Sequence, residues 1–358
     1  MDKQRKLFAG IGQLIIPLVA LGLLILFNLF RDPGFFSIGM AVNNSGNQVL
    51  TGNLISIIDS ASELAIIAMG MTLVTAACGG QDISVGAVGA ISGAVFVKVL
   101  LGAPSITPGI VVLGVILCCL ATIAFMMFNG TLVSVFKIQP MIATLILYSC
   151  GRSIAYWING DATPQLNSPI ITSIGMTIPG VPVPTPIFVV ILAGLLLLLI
   201  FRRTTTGLYV QTVGINQGAA RLNGIDPVLI KLLSFALLGV CVSLASVIGV
   251  GRLGQLNHKT LLVDIEMDAI LAVAIGGNNL GGGRFRLSGS ILGAYIIQML
   301  TTTLYAMNVS PVNVKTYKAI VIIIIVVAGS PVVKNRLSAL WSRMRSGGSQ
   351  AAASKGVG

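Results

Sequence analysis

Apolar runs of membrane length alternate with short polar breaks along almost the whole chain. An α-helix needs about 20 apolar residues to cross a bilayer, so the pattern predicts crossing helices. In order, they are expected at about residues 7–30, 54–77, 85–101, 109–128, 141–157, 187–201, 232–250, 266–275, 287–307 and 317–333. The eighth is too short for a complete crossing. Part of the loop before it must therefore enter the membrane, or the helix is broken. The expected fold class is an all-α polytopic membrane protein of about ten transmembrane helices, some short or broken.

The breaks carry the rest of the information. The segment 31–53 is polar and Asn/Gly-rich and is expected as an external loop. Residues 159–186 form the longest external segment, rich in Pro, Ser and Thr, expected as an ordered loop or a short re-entrant piece. Residues 129–139, with Lys137, are expected as a cytoplasmic loop. The longest polar and basic interruption is 202–231. Within it, NQGAARLNGID (216–226) predicts a short helix through Ala219, Ala220, Arg221 and Leu222, ended by Gly224. Pro227 then suits the first turn of the next helix. Such a helix between two spans is either a mechanical lever or an inert amphipathic connector.

Charge orients the pattern. Only 9% of residues are charged, against about 25% in soluble domains, which excludes an ordinary soluble fold. The formal net charge is +12. The basic residues sit at span ends and in the tails, not on an aromatic-bearing surface. They therefore set topology and do not point to nucleic acid. Lys3, Arg5, Lys6, Lys137, Arg202, Arg203, Arg221, Lys231, Arg284, Arg286 and the basic tail fall on one side of the predicted spans. This places both termini in the cytoplasm. The external loop 251–265, with Arg252, His258 and Lys259, runs against that trend. The first apolar run is long for a signal peptide and is expected to be a retained span. The division expected is one permease domain over 1–333, the cytoplasmic loop 202–231 within it, and a basic tail 334–358, disordered at its end.

Catalytic signatures are missing from the sequence. There is no GxxxxGK phosphate loop, no HExxH and no GxSxG. The five cysteines lie in or beside apolar runs without a CxxC pair, and read as small buried side chains. Asp59 and Glu63 share a helical face near an external end, where they line a water-filled vestibule or reach the interface. Asp264, Glu266 and Asp268 could hold a metal or a proton, with Asp264 and Asp268 on one helical face, or be solvated acids at a span end. Arg284 and Arg286 beside a glycine run read as a turn anchored to lipid headgroups, with phosphate binding as the rival. An internal echo links AACGGQDISVGAVGAISGA (76–94) to AIGGNNLGGGRFRLSGSILGA (274–294). It is either a repeat, which in transporters tends to surround the substrate route, or a chance match of glycine-rich turns.

Four stretches together resemble one family: MGMTLVTAACGGQDISVGAVGA (69–90), KIQPMIATLIL (137–147), VGINQGAARLNGI (213–225) and AILAVAIGGNNLGGGRF within 262–294. The chain is similar to the permease subunits of bacterial ATP-binding-cassette monosaccharide importers, the ribose, xylose and galactofuranose permease family, with most likeness to the galactofuranose members. Gln81 departs from the apolar residue usual in that family. The resemblance implies an importer permease fold in the bacterial cytoplasmic membrane. It implies a second permease copy or homologue, a cytoplasmic ATPase subunit that uses ATP and magnesium, an extracytoplasmic sugar-binding protein, and a monosaccharide substrate. This chain would itself hold no cofactor and catalyse no reaction. Ala219, Ala220, Arg221, Gly224 and Ile225 would form the coupling helix, its small residues entering a groove on the ATPase. Gln81, Asp82, Ser84, Asn278 and Asn279 are candidates for the substrate route or gate, with turn capping as the alternative role. Rival functions are a permease for nucleosides or a furanose signal, an ion-coupled secondary carrier, and a scaffold without transport.

Overall fold

The structure, a computed structural model, describes residues 2–42, 48–160, 163–166 and 168–329, with side chains described over 17–324 of these. The expected tail 334–358 and the end of the last predicted span lie outside the described residues. Thirteen helices and one two-stranded hairpin are formed among those described. They are α1 (Asp2–Arg31), β1 (Gly39–Val42), β2 (Gln48–Thr51), α2 (Asn53–Cys78), α3 (Val85–Leu101), α4 (Pro108–Ser134) and α5 (Pro140–Asn159). There follow α6 (Pro169–Gly175), α7 (Thr185–Arg203), α8 (Thr206–Ile215), α9 (Gln217–Leu222), α10 (Pro227–Leu253), α11 (Ile265–Ile275), α12 (Leu287–Ala306) and α13 (Pro311–Gly329). Among the described residues six helices are long and apolar enough to cross a membrane: α2, α4, α5, α7, α10 and α12.

Why α2 and α4 differ is legible in their side chains. Beyond the turn that bears Asp59 and Glu63, helix α2 is apolar or small on every face and lies enclosed by α10, α12, α11, α7 and α8. Helices α4 and α7 turn Leu113, Ile116, Leu120, Ile191, Leu195 and Leu199 outward, all about half exposed, as helices facing lipid do. Small residues bring the inner helices together. A Cβ on Gly70 of α2 would lie 2.9 Å from Leu238 of α10, and one on Gly151 of α5 would lie 3.0 Å from Ala87 of α3. Such close approach is how helices pack where lipid offers no hydrophobic drive.

Helix ends follow their caps. Thr107 accepts from the Ile110 N–H and Asp226 from the Val228 N–H, each followed by a proline in the first turn. Gly79 ends α2 in the left-handed region at φ 65°, its N–H on the Thr75 carbonyl.

Several expectations are corrected. The segment 31–53, expected as an external loop, is not all loop: β1 and β2 pair antiparallel, with Gly39 opposite Thr51 and Val42 opposite Gln48. Their short β-prone stretches flank a polar, glycine-bearing stretch, and Leu50 N–H bonds the Pro182 carbonyl at 2.9 Å. Helix α4 continues through Asn129 to Ser134, because Asn129 finds buried hydrogen-bond partners there. The segment 202–231 holds two helices, α8 and α9, where one was expected. Arg252 lies in the last turn of α10, not in a loop. Asp264 precedes α11 in a left-handed conformation (φ 61°) and lies outside the helix, yet it and Asp268 face the same neighbour, pairing with Lys315 and Lys318 of α13. The chain before α11 packs inward: Leu261 and Leu262 are buried on the glycine stripe of α3, where a Cβ on Gly89 or Gly93 would strike them. Arg152 of α5 holds that turn by donating to the carbonyls of His258 (2.7 Å) and Leu261 (3.1 Å).

Candidate functional site

The two halves of the sequence echo meet. The break between α2 and α3 and the break between α11 and α12 lie against each other at one end of the bundle. Gly283 N–H donates to the Ala76 carbonyl at 2.9 Å. The Gln81 amide donates to the Leu280 carbonyl at 3.1 Å. A Cβ on Gly282 would lie 3.0 Å from the Gly79 Cα. Thr72 of α2 and Ser290 of α12 share a hydrogen bond of 2.5 Å just behind the breaks.

Each break is held by its own polar residues. The Asp82 carboxylate accepts from the Ser84 N–H and hydroxyl, both at 2.6 Å, which closes the start of α3. Asn129 of α4 donates to Ser84 Oγ (2.9 Å) and to Asp82 (3.3 Å). Burial pushes the Asp82 carboxyl above its ordinary value, and the bonds from Ser84 and Asn129 work against that rise. Asn278 bridges the second break: its Oδ1 accepts from the Arg286 N–H at 2.6 Å and its amide donates to Ser290 Oγ at 2.8 Å. Asn279 Oδ1 accepts from the Gly281 N–H at 3.0 Å. Gln81, Asp82, Ser84, Asn278 and Asn279 thus gather at one end of the bundle, and all five are engaged in closing turns.

Helix α9 rests on the same end. Asn216 caps it by accepting from the Ala219 N–H at 3.0 Å. Gly224 follows it at φ 75°, and the Ile225 N–H returns to the Ala220 carbonyl at 3.0 Å. Ala220 is fully buried, packed with Ala76 and Ala77 of α2, Val210 and Val213 of α8, and Ile230 of α10. Phe285 of the second break and Ile225 close that cluster. Ala219, Arg221 and Gly224 face outward. Leu222 stands beside them 91% exposed, the most exposed large apolar side chain described. Its exposure was not legible in the sequence, because a leucine in a short alanine-rich helix can face either way.

At the opposite end, residues 164–166 pair with 254–256: Leu166 N–H bonds the Gly254 carbonyl and Leu256 N–H the Pro164 carbonyl. A cavity of about 520 Å³ opens there, with Gln165, Ser168, Thr172 and Gln255 among its lining. Nothing in the periodicity marked it, since its residues come from irregular segments, the short helix α6 and the last residue of α10. Of the candidate acids, Glu266 is buried and its Oε2 has no hydrogen-bond partner among the described residues, whereas Asp59, Glu63, Asp264 and Asp268 are in ion pairs. Arg252 meets Asp59 (3.3 Å) and Glu63 (3.4 Å), Lys318 meets Asp268 (2.7 Å), and Lys315 meets Asp264. No group of His, Cys, Asp and Glu among the described residues is placed to hold a metal ion.

Comparison with known proteins adds the lineage. The family described as branched-chain amino acid transport system / permease component matches residues 53–329. The galactofuranose transporter permease protein YtfT of Escherichia coli K12 is 36% identical, over 87% of this chain and 88% of its own. The fructose import permease protein FruF of Bifidobacterium longum is 35% identical, over 87% and 86%. The ribose import permease protein RbsC of Escherichia coli K12 is 32% identical, over 86% and 91%. No solved structure matches. With a match from α2 through α13 and relatives covering nearly the whole length, the chain belongs to this family of membrane transport permease components.

Proposed function

We propose that the chain is the transmembrane subunit of an ATP-driven importer that carries a monosaccharide inward by alternating access. The observation that carries this reading is the set of relatives named for galactofuranose, fructose and ribose, each aligned over nearly the full length of both chains. The family description names branched-chain amino acids. The full-length sugar relatives are the narrower guide, and the polar cavity supports them. Its amides and hydroxyls carry no charge, which suits a neutral polyol better than a zwitterionic amino acid. Its size falls within the about 300–1,000 Å³ usual for small-molecule sites.

In this reading the chain crosses the bacterial cytoplasmic membrane ten times with both termini inside. Helices α1, α3, α11 and α13 supplement the six long apolar helices. The cavity beside α6 faces outward, toward a sugar-binding protein. Helix α9 faces a cytoplasmic ATPase subunit, where ATP and magnesium are used. A second permease copy or a homologue completes the route.

Helix α9 is the coupling helix. Ala219, Arg221, Leu222 and Gly224 form its outer surface, and Arg221 can pair with an acid of the ATPase. Ala220 and Ile225 form the inner surface and transmit the push. A displaced α9 bears on Ala76 and Ala77 at the end of α2, and through Phe285 on the second break. Gln81, Asp82, Ser84, Asn278 and Asn279 then act as the hinge and inner gate, because their bonds define the two turns that must reorient.

Reconstitution tests this. Proteoliposomes holding the permease, its ATPase subunit and its binding protein are expected to take up one of ribose, fructose or galactofuranose only with ATP. Uptake by this chain alone under an ion gradient, or failure to assemble with any ATPase subunit, overturns it.

A further inference from the structure

A second cavity, of about 240 Å³, opens where the ends of α4 and α9 meet the starts of α5 and α10. Its lining brings together Lys137, Arg221 and Lys231 with Ser134, Gln139 and Gln217, and none of its lining residues is acidic. Lys231 is only 7% exposed, and no ion pair or hydrogen bond engages it among the described residues. A lysine that far buried almost always has a partner. Ser134 is equally buried, and its hydroxyl has no hydrogen-bond partner. The neighbouring carboxylates are committed elsewhere: Asp226 caps α10 through the Val228 N–H, and Asp82 is enclosed by Ser84 and Asn129. Lys137 is fixed at φ 57° just past the end of α4, while the Phe136 and Ile138 N–H groups close the carbonyls of Thr131 and Leu132. Three cationic side chains, an orphan hydroxyl and two amides therefore surround a small hollow with no carboxylate in its wall.

We infer that this hollow is an anion site for a phosphate group, set between α9 and the helices that α9 would move. Lysine and arginine around a small volume with neutral donors are the chemistry of phosphate recognition. The volume lies below the range of drug-sized pockets and suits a phosphate with a small attached group. Two sources share that chemistry: a soluble phosphate monoester and the phosphodiester headgroup of an anionic lipid. Occupancy ties α4, α5, α9 and α10 to one charge and stiffens the base of α9. The site is cytoplasmic on the topology proposed above, but the anion chemistry does not depend on which substrate is carried.

The test uses the full-length permease. In uncharged detergent, inorganic phosphate and a hexose phosphate are titrated and thermal unfolding is followed. In parallel, nanodiscs of phosphatidylglycerol or phosphatidylcholine are compared by native mass spectrometry for retained lipid. Saturable stabilisation by phosphate or hexose phosphate identifies the soluble source. Retained phosphatidylglycerol without that stabilisation identifies the lipid. In either case Lys231→Gln is expected to weaken binding about tenfold or more, and Lys137→Gln severalfold. Lys137 is exposed, so its variant keeps the test decisive if Lys231→Gln fails to fold. The inference is overturned if neither phosphate nor anionic lipid binds. It is equally overturned if binding is unchanged in Lys137→Gln, or if only the ATPase subunit, and no phosphate compound, shields Lys231 from an amine-acylating reagent. Failure of sugar uptake alone bears on the proposed function and leaves this site standing.

Discussion

Gly283 donates its backbone N–H to the Ala76 carbonyl at 2.9 Å, joining the break after α11 to the last turn of α2. The Gln81 amide repeats the tie 199 residues across the sequence, on the Leu280 carbonyl. A junction made this way is backbone against backbone, with side chains as props. It leaves little room for added atoms, and that makes it testable by substitution.

Gly214 of α8 is the tightest of the neighbouring positions. A Cβ there would collide with the Ala76 carbonyl and lie 2.6 Å from the Gly283 nitrogen. Overpacking of this kind costs about 1–3 kcal/mol. Gly214→Val is expected to lower the thermal unfolding midpoint of the purified permease in detergent. A midpoint equal to wild type would mean that α8 does not clamp the two breaks.

The two faces of α9 should respond differently. Ala220→Leu enlarges a fully buried side chain and is expected to destabilise the permease itself by about 1–3 kcal/mol. Leu222→Ser alters an exposed side chain and should change stability by no more than about 0.5 kcal/mol. On the coupling proposal, Leu222→Ser nevertheless loses most co-purified ATPase subunit. Equal stability of the two variants would refute the assignment of faces, and full retention of the ATPase would refute the docking role of Leu222.

The contrast at α9 shows what sequence could and could not reveal. Apolar runs marked the long helices because periodicity and length are local properties. Gly224 and Pro227 marked the end of α9 and the start of α10 for the same reason. The face of α9 was not legible: whether Ala220 or Leu222 points inward depends on where α2 and α10 stop, which is a tertiary fact. Helix α8 was missed because its TTTGLYVQTVGI stretch is rich in threonine, glycine and β-branched residues, which local propensity disfavours in helices. Arg252 read as a loop residue against the charge trend. Its reason, two acids one turn apart on α2, lies almost two hundred residues away. The sequence echo, by contrast, was visible, but only the structure shows its halves touching.

Asp82 offers a pH test. Its carboxyl is raised above 3.8 by burial. Between the unfolded and the raised folded value, the folded chain binds more protons than the unfolded one, so this group makes stability fall as pH rises through that window. Asp82→Asn keeps an oxygen acceptor for Ser84 and carries no charge. It is expected to remove that part of the pH dependence while remaining folded. Asp82→Ala leaves the Ser84 N–H and hydroxyl without their acceptor and should cost about 1–3 kcal/mol. Unfolding midpoints measured from about pH 4 upward distinguish the two. An unchanged slope in Asp82→Asn would show that the dependence arises elsewhere.

The guanidinium of Arg252 links α10 to α2 through both Asp59 and Glu63, and it also donates to the Asp59 carbonyl at 3.1 Å. Removing it strands two acids that are one turn apart and therefore repel each other. A fully buried pair broken in this way costs about 3–5 kcal/mol. Here the side chains keep exposures of 26% for Arg252, 23% for Asp59 and 17% for Glu63, so solvent screens part of the loss. Arg252→Met is expected to cost about 1–2 kcal/mol. Adding Glu63→Gln removes one of the stranded charges and should recover part of that cost, a coupling of about 0.5 kcal/mol or more in the double-mutant cycle. Arg252→Lys keeps the charge but cannot reach both acids with one planar fork, so it should fall between wild type and Arg252→Met. Unfolding midpoints of the four proteins in the cycle supply the measurement. Strict additivity of Arg252→Met and Glu63→Gln would mean that the guanidinium packs beside Glu63 without stabilising its charge.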